Sequence, residues 1–265
     1  IYFYFLYSVF TIFKMNKLVY IIVLSFIVCS CMGQTKKEEN KLVDSKKDEW
    51  ISLFDGKTTE GWHYYNGGEI GDEWTIDDGV LTFDPKKRGD KDKIYNIVTN
   101  ENFTNFILSI EWNVAECGNS GLFWGVQEDK RFVSPYLTGP EIQILDNERH
   151  SDAFMKPKYH QAGALYDIVQ PTKDVCNPAG EWNHFLLTVN HKINNANVKL
   201  NGTEIVSFPI NGPEWEELIS TCKFRDKSTY NYTEAPEFGK YKTGKIGLQD
   251  HGDRVSFRNI KIKRL

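Results

Sequence analysis

The chain has 265 residues, a formal net charge of −4 and an aromatic content of 14 % that includes seven tryptophans. With no basic run in its folded part beyond the short stretch 261–264, it excludes nucleic acid as a partner, because neutralising phosphates takes clustered Lys and Arg. Five cysteines without a CxxC pair exclude a zinc ribbon. The three beyond the first 31 residues, Cys117, Cys176 and Cys222, leave room for at most one disulfide.

Met15-Asn16-Lys17 precedes an apolar run over 18–28 that ends at Cys29-Ser30-Cys31. A charged start, an apolar stretch of signal-peptide length and a small-residue end predict export, and Val28-Cys29-Ser30-Cys31 resembles a bacterial lipobox with Cys31 lipidated. A membrane span through both apolar stretches is interrupted by Lys14 and Lys17. Residues 1–31 are therefore expected to be upstream sequence and a lipoprotein signal peptide, 32–49 a polar tether, and 50–265 one domain. The expected location is periplasmic or outer-membrane anchored, through the lipid, with no protein partner implied.

Short β-type segments separated by turn residues then fill the chain: 51–54, 74–76, 80–83, 94–99, 106–114, 121–126, 141–145, 163–168, 184–190, 198–200, 204–208, 245–249 and 255–262. That spacing predicts an all-β fold, an antiparallel sandwich. Asp78-Gly79 and Asn201-Gly202 each divide two such segments and read as type I′ hairpin turns. Only 213–222 looks helical. Pro213 sits near its start, Glu214, Glu216 and Glu217 occupy early turns where the helix dipole favours anions, and Trp215, Leu218 and Ile219 share one side. Trp62, Trp74, Trp112 and Trp182 read as core. Trp124 lies beside Gly125, where the backbone can be approached, and is a candidate sugar contact.

The run Gly139-Pro140-Glu141-Ile142-Gln143-Ile144-Leu145-Asp146-Asn147 sets polar side chains inside an apolar strand. Alternation puts Glu141 and Gln143 on one face and Ile142 and Ile144 on the other. Ile144 and Leu145 break the alternation, and a one-residue bulge there would return Asp146 to the polar face. A half-buried strand with a wet face is the plainer alternative.

Several segments in order resemble one family. They are Leu53-Phe54-Asp55-Gly56-Lys57 with Gly61-Trp62, Asn119-Ser120-Gly121-Leu122, Gly139-Pro140-Glu141-Ile142-Gln143 and Gly163-Ala164-Leu165-Tyr166-Asp167. Glu181-Trp182-Asn183-His184, Gly247-Leu248-Gln249-Asp250-His251-Gly252 and Phe257-Arg258-Asn259-Ile260 complete the series. Together they resemble the 3-keto-disaccharide hydrolase domain, also described as 3-keto-glucoside 1,2-lyase and 3-keto-2-hydroxy-glucal hydratase. The resemblance implies a concanavalin A-like jelly-roll of two curved antiparallel sheets and a glycoside substrate. Glu141-x-Gln143-x-x-Asp146 is also similar to the Glu-x-Asp-x-x-Glu strand of laminarinase-type retaining glucanases, whose paired carboxylates stand about 5 to 5.5 Å apart. An amide in the middle and a shorter acid at the end weaken that second likeness.

A ketone at sugar carbon 3 acidifies the hydrogen on carbon 2, so elimination of the carbon 1 substituent followed by hydration would replace double displacement. Such a site needs a base, an electrophile for the oxyanion and a proton donor. Glu141, His251, His160 and Asp146 are the candidate catalytic residues, Glu141 first as base or metal ligand, with a structural carboxylate as its alternative. Gln143, Gln249, Asp250, Tyr166, Asn119 and Trp124 are candidate substrate contacts. His251 suits proton transfer, and equally an Asx-type turn made by Asp250. His150 reads as a solvated loop residue. No compact ligand motif is present, and a divalent ion held by Glu141, His160 and His251 is an open option. An ordinary retaining glycosidase and a non-catalytic carbohydrate-binding lipoprotein are the alternative functions.

Overall fold

The computed structural model describes residues 49–90 and 93–265, so Cys31, the expected signal peptide and nearly all of the tether lie outside the described residues. Residues Trp50–Leu265 pack as one unit. Its strands are β1 (Ile51–Ser52), β2 (Trp62–Tyr64), β3 (Trp74–Asp77), β4 (Val80–Phe83), β5 (Ile97–Thr99), β6 (Phe106–Val114) and β7 (Asn119–Val126). They continue with β8 (Glu141–Leu145), β9 (Asn183–Asn190), β10 (Asn195–Leu200), β11 (Thr203–Phe208), β12 (Lys245–Leu248) and β13 (Val255–Arg264). One sheet runs β11-β10-β9-β6-β13-β4-β3, with β1 added on β13, and the other runs β2-β5-β12-β7-β8. The pairings within both are antiparallel, giving the jelly-roll β-sandwich expected of the sequence.

Alternation explains the packing. On β6, Phe106, Leu108, Ile110, Trp112 and Val114 point inward, and Leu122, Trp124, Ile142, Ile144 and Leu248 meet them from the smaller sheet. Each such large side chain contributes about 1.5–3 kcal/mol by leaving water. Trp62, Trp74 and Trp112 are buried as expected, while Trp182 is half-buried beneath the Arg258 guanidinium, 3.9 Å above its ring. Asp78, Gly79, Asn201 and Gly202 have φ of 44°, 75°, 50° and 83°, the paired left-handed geometry of a type I′ turn.

The structure departs from the sequence reading in four places. Among the described residues α-helix occurs twice, as α1 (Asp152–Met155) and α2 (Gly212–Ile219); α1 is too short to show a periodic pattern. Residues 163–168 form no strand, because Gly163 and Asp167 take φ of 83° and 66° and Leu165 bridges back to Val169. The segment instead covers the open edge of β8, with Gln143 N–H donating to Ala164 O (3.1 Å) and Tyr166 N–H to Glu141 O (3.0 Å). β2 was not legible, being three residues between turns. Finally, β8 pairs with β7 without a bulge, Asn119 through Phe123 facing Leu145 through Glu141 in unbroken register. Cys117, Cys176 and Cys222 are all free.

Candidate active site

The register of β7 and β8 decides what lies on the outer face of the smaller sheet. Phe123 faces Glu141, Gly121 faces Gln143 and Asn119 faces Leu145, all on the side away from the core. At one end, Phe123 and Val98 are closed over by Tyr65 and Phe132 in a small apolar cluster. The other end is open, a cavity of about 190 Å³ with Asn119, Glu141, Gln143 and Gln249 as its floor. Asp152 and Tyr166 form a wall, the irregular connections carrying Tyr136, Lys223, Phe224 and Thr233 lie over it, and His251 stands at the rim.

Glu141 dominates the floor. It is 8 % exposed, and its carboxyl has no hydrogen-bond partner among the described residues. Burial drives its pKa up to about 8, with the Asp152 charge pushing the same way and Lys223 and His160 pulling back. Glycine leaves it room: a Cβ at Gly121 would stand 2.6 Å from Glu141 Cδ, so a larger residue there has to displace the carboxyl. Gln143 and Gln249 each carry a buried side-chain oxygen without a partner. Gln143 Nε2 makes only a long 3.4 Å contact to Asn119 Oδ1. A floor with unpaired acceptors calls for a ligand rich in O–H donors, because each oxygen left unpaired costs about 1–3 kcal/mol.

The wall is held by an ion chain. His160 Nδ1 lies 2.7 Å from Asp152 Oδ1 and Nε2 lies 3.2 Å from Asp167 Oδ1, while Asp167 also accepts from the Lys223 backbone N–H (2.7 Å) and Lys156 Nζ (3.1 Å). Burial works against charge on all three, yet their mutual bonds win: Asp152 and Asp167 are held below the usual carboxylate range and His160 above its ordinary 6.5. His160 stacks on Tyr166 at 4.3 Å between ring centroids, so it orients the wall rather than lining the cavity. Burial also pushes the Tyr166 hydroxyl up, keeping it protonated, and Lys223 Nζ donates to it at 3.3 Å. His160→Phe is expected to cost about 3–5 kcal/mol by taking the imidazolium from between Asp152 and Asp167, of which Asp167 keeps Lys156 and the Lys223 N–H. The imidazolium is favoured by the folded chain, so its contribution is whole below about pH 6.5 and fades as pH climbs through the raised folded value. Chemical denaturation at pH 6 and pH 8.5 should show the smaller loss at the higher pH; an equal loss at both would sink the charged-bridge account.

Glu141, Gln143, Gln249, Asn119, Tyr166 and His251 thus meet at one cavity. Four other sequence candidates do not line it. Asp146, with no bulge to turn it, ties its own loop, accepting from Cys117 N–H (2.8 Å), Glu148 N–H (3.1 Å) and Arg149. Asp250 makes the Asx-type turn, accepting from Gly252 N–H at 2.7 Å and also from Tyr95 N–H at 3.2 Å; burial raises its pKa. Trp124 is a core residue, 4 % exposed and tilted against Phe208. His160 sits behind Tyr166 with both nitrogens engaged, which leaves it no lone pair for a metal. The ligand atoms that do converge belong to His150, His251 and Asp253. His150, expected to be a solvated loop residue, packs edge-to-face on His251. Asp152, Tyr136, Lys223, Phe224 and Thr233 were missed, since they lie on irregular segments, the 3-10 turn Pro135–Leu137 or the short α1, where no periodicity points.

Comparison with known proteins follows the same lines. The family described as 3-keto-alpha-glucoside-1,2-lyase-like domain matches residues 49–263. Over 236 residues the chain is 35 % identical to a 3-keto-disaccharide hydrolase of Bacteroides thetaiotaomicron, covering 82 % of this chain and 79 % of the relative. A crystal structure of a candidate glycosyl hydrolase from Parabacteroides distasonis is 31 % identical with a TM-score of 0.71, covering 82 % of this chain and 94 % of that one. A second from the same organism is 26 % identical with a TM-score of 0.61, covering 82 % and 100 %.

Proposed function

The chain belongs to the 3-keto-alpha-glucoside-1,2-lyase-like family of carbohydrate-active hydrolases, and we propose that its pocket cleaves 3-keto-glycosides by elimination across carbons 1 and 2 followed by hydration. The observation that carries this is Glu141: one buried, unbonded carboxyl whose pKa is raised to about 8, on a floor of hydroxyl-accepting amides. A base is most effective when its pKa lies near the working pH.

Glu141 takes the proton from carbon 2, and the C–H electron pair moves towards the carbon 3 oxygen, giving an enolate. Lys223, on the cavity lining, supplies positive charge for that oxygen. The pair then returns to form the carbon 1–carbon 2 double bond while the carbon 1 substituent leaves with its bonding electrons. Tyr166, which keeps its proton, can donate to the departing oxygen. Water adding across the double bond puts hydroxyl on carbon 1 and hydrogen on carbon 2, a net hydrolysis.

One observation favours a second reading. Asp152 also lines the cavity and is held ionised by His160, while Glu141 holds its proton, and two carboxyls with pKa values driven apart suit a retaining glycosidase. Against it, Asp152 Oδ1 is already taken by His160 at 2.7 Å. Incubating the protein with a glucoside and its 3-keto derivative in heavy water separates the readings. The expected result is cleavage of the keto sugar alone, with deuterium appearing at carbon 2. Cleavage of the unoxidised sugar without exchange, with the anomeric configuration retained, would establish double displacement, and binding without cleavage of either would leave a carbohydrate-binding module.

A further inference from the structure

Two loops at the rim of the cavity bring together groups for which the elimination has no use. His150 follows β8, and His251 and Asp253 lie between β12 and β13. The two rings meet at 6.2 Å between centroids and 81°, and one ligand atom from each of the three residues lies within 4.8 Å of the others. No other such trio occurs among the described residues. We propose that His150, His251 and Asp253 form a divalent metal site whose open positions take the ketone and a neighbouring hydroxyl of the oxidised sugar; this rests on the 3-keto-glycoside reading of the pocket.

The donor set fits. Two imidazoles and one carboxylate bind first-row divalent ions and leave positions free for a substrate, as catalytic sites require and closed structural sites do not. Metal–ligand bonds of about 2.0–2.2 Å put tetrahedral ligand atoms about 3.4 Å apart, so from the 4.8 Å that bounds them here a movement of up to about 0.8 Å at each, within reach of side chains on loops, completes the site. Asp253 is steadied from behind, whereas His150 is held by a bond that the ion must displace. Asn119 N–H donates to Asp253 Oδ2 at 3.1 Å, and Asp152 N–H donates to His150 Nδ1 at 3.1 Å. Coordination asks the His150 ring to turn over or give up that single neutral bond, a small loss beside a metal–nitrogen bond. His251 has no hydrogen bond to its ring nitrogens among the described residues, although it lines the cavity. Two residues before it, Gln249 offers its unpartnered side-chain oxygen to the same space.

Location gives the ion a role. A ketone beside a hydroxyl closes a five-membered chelate on a divalent ion, whereas a glycoside with hydroxyls only is a weak chelator at neutral pH. The site would therefore select the oxidised sugar and polarise the carbonyl whose neighbour Glu141 deprotonates. The test needs no sugar. The whole chain, stripped with chelator, is titrated with Co²⁺ followed by its visible absorption and with Mn²⁺ followed by electron paramagnetic resonance. One equivalent is expected to bind, with His251→Ala and Asp253→Asn each weakening it ten-fold or more and Glu141→Gln leaving it unchanged. Far-UV circular dichroism confirms that the variants are folded. No saturable binding, or binding unaltered in both folded ligand variants, overturns the site. Binding of the ion with no turnover of any 3-keto-glycoside would retain the site and reject the reaction; turnover indifferent to chelator, with no saturable binding, would do the reverse.

Discussion

Glu141→Gln is expected to lower kcat/KM on a 3-keto-glucoside by about 10²–10⁴, the usual range for losing a proton-transfer group, and in the same variant to raise the stability of the fold. The second effect follows from the sign of the shift. In the unfolded chain the carboxyl titrates near 4.5, whereas in the folded chain it holds its proton up to about 8. Between those values the folded state is penalised increasingly as pH rises, up to a ceiling of about 5 kcal/mol. Glutamine has no such equilibrium, is nearly isosteric, and forfeits no hydrogen bond because the carboxyl makes none among the described residues. Denaturant unfolding should show the variant's advantage largest at pH 8 and near zero at pH 4.5. An advantage that is absent or reversed at pH 8 would show the carboxylate to be well solvated or paired. The pH dependence of activity tests the role of Glu141 separately. A base gains its active form as pH rises, so log kcat/KM should climb towards about pH 8. A falling limb there would make Glu141 the proton donor and favour double displacement.

How much of this was legible depends on how far apart the interacting residues lie. Glu141 and Gln143 could be placed on one face from alternation alone, and the unbroken β7–β8 register keeps them there. The same parity argument, carried to the neighbouring strand, identifies Trp124 as core: it alternates with Phe123, which faces Glu141, and so points the other way. Asp146 failed because a bulge is a local choice of the backbone, and the backbone N–H groups of Cys117 and Glu148 already claim its carboxylate. Lys223 was illegible for a different reason. Its loop is irregular and is fixed from a distance, by its own N–H on Asp167 Oδ2, where Asp167 itself sits at a φ of 66° that its side-chain type only modestly predicts. His150 and His251 are neighbours only through the sandwich, and no spacing rule links two loops so remote in sequence.

Gly121→Ala tests whether the empty space beside Glu141 is a requirement of the reaction or an accident of the strand. Gly121 is absent from the positive-φ residues, so alanine can adopt its backbone without strain, and the whole effect must be steric. The three nearest atoms to the new Cβ all belong to the Glu141 side chain, with Cδ at 2.6 Å and Cγ at 2.9 Å. The carboxyl must therefore move. A displacement of about 1 Å at a reacting group can cost 10²-fold in rate, and overpacking of this kind costs about 1–3 kcal/mol in stability. The expected result is a loss of about 10² in kcat/KM with the fold retained. Repeating the substitution in a Glu141→Ala background isolates the cause, because the clashing atoms are then gone and the stability cost should largely disappear, a positive coupling in the double-mutant cycle. Full activity in Gly121→Ala, or an unchanged stability cost in the Glu141→Ala background, would mean that the strand and not the carboxyl dictates glycine here. In that case the position of Glu141 would be set by the wall of Asp152, Tyr166 and Lys223 alone.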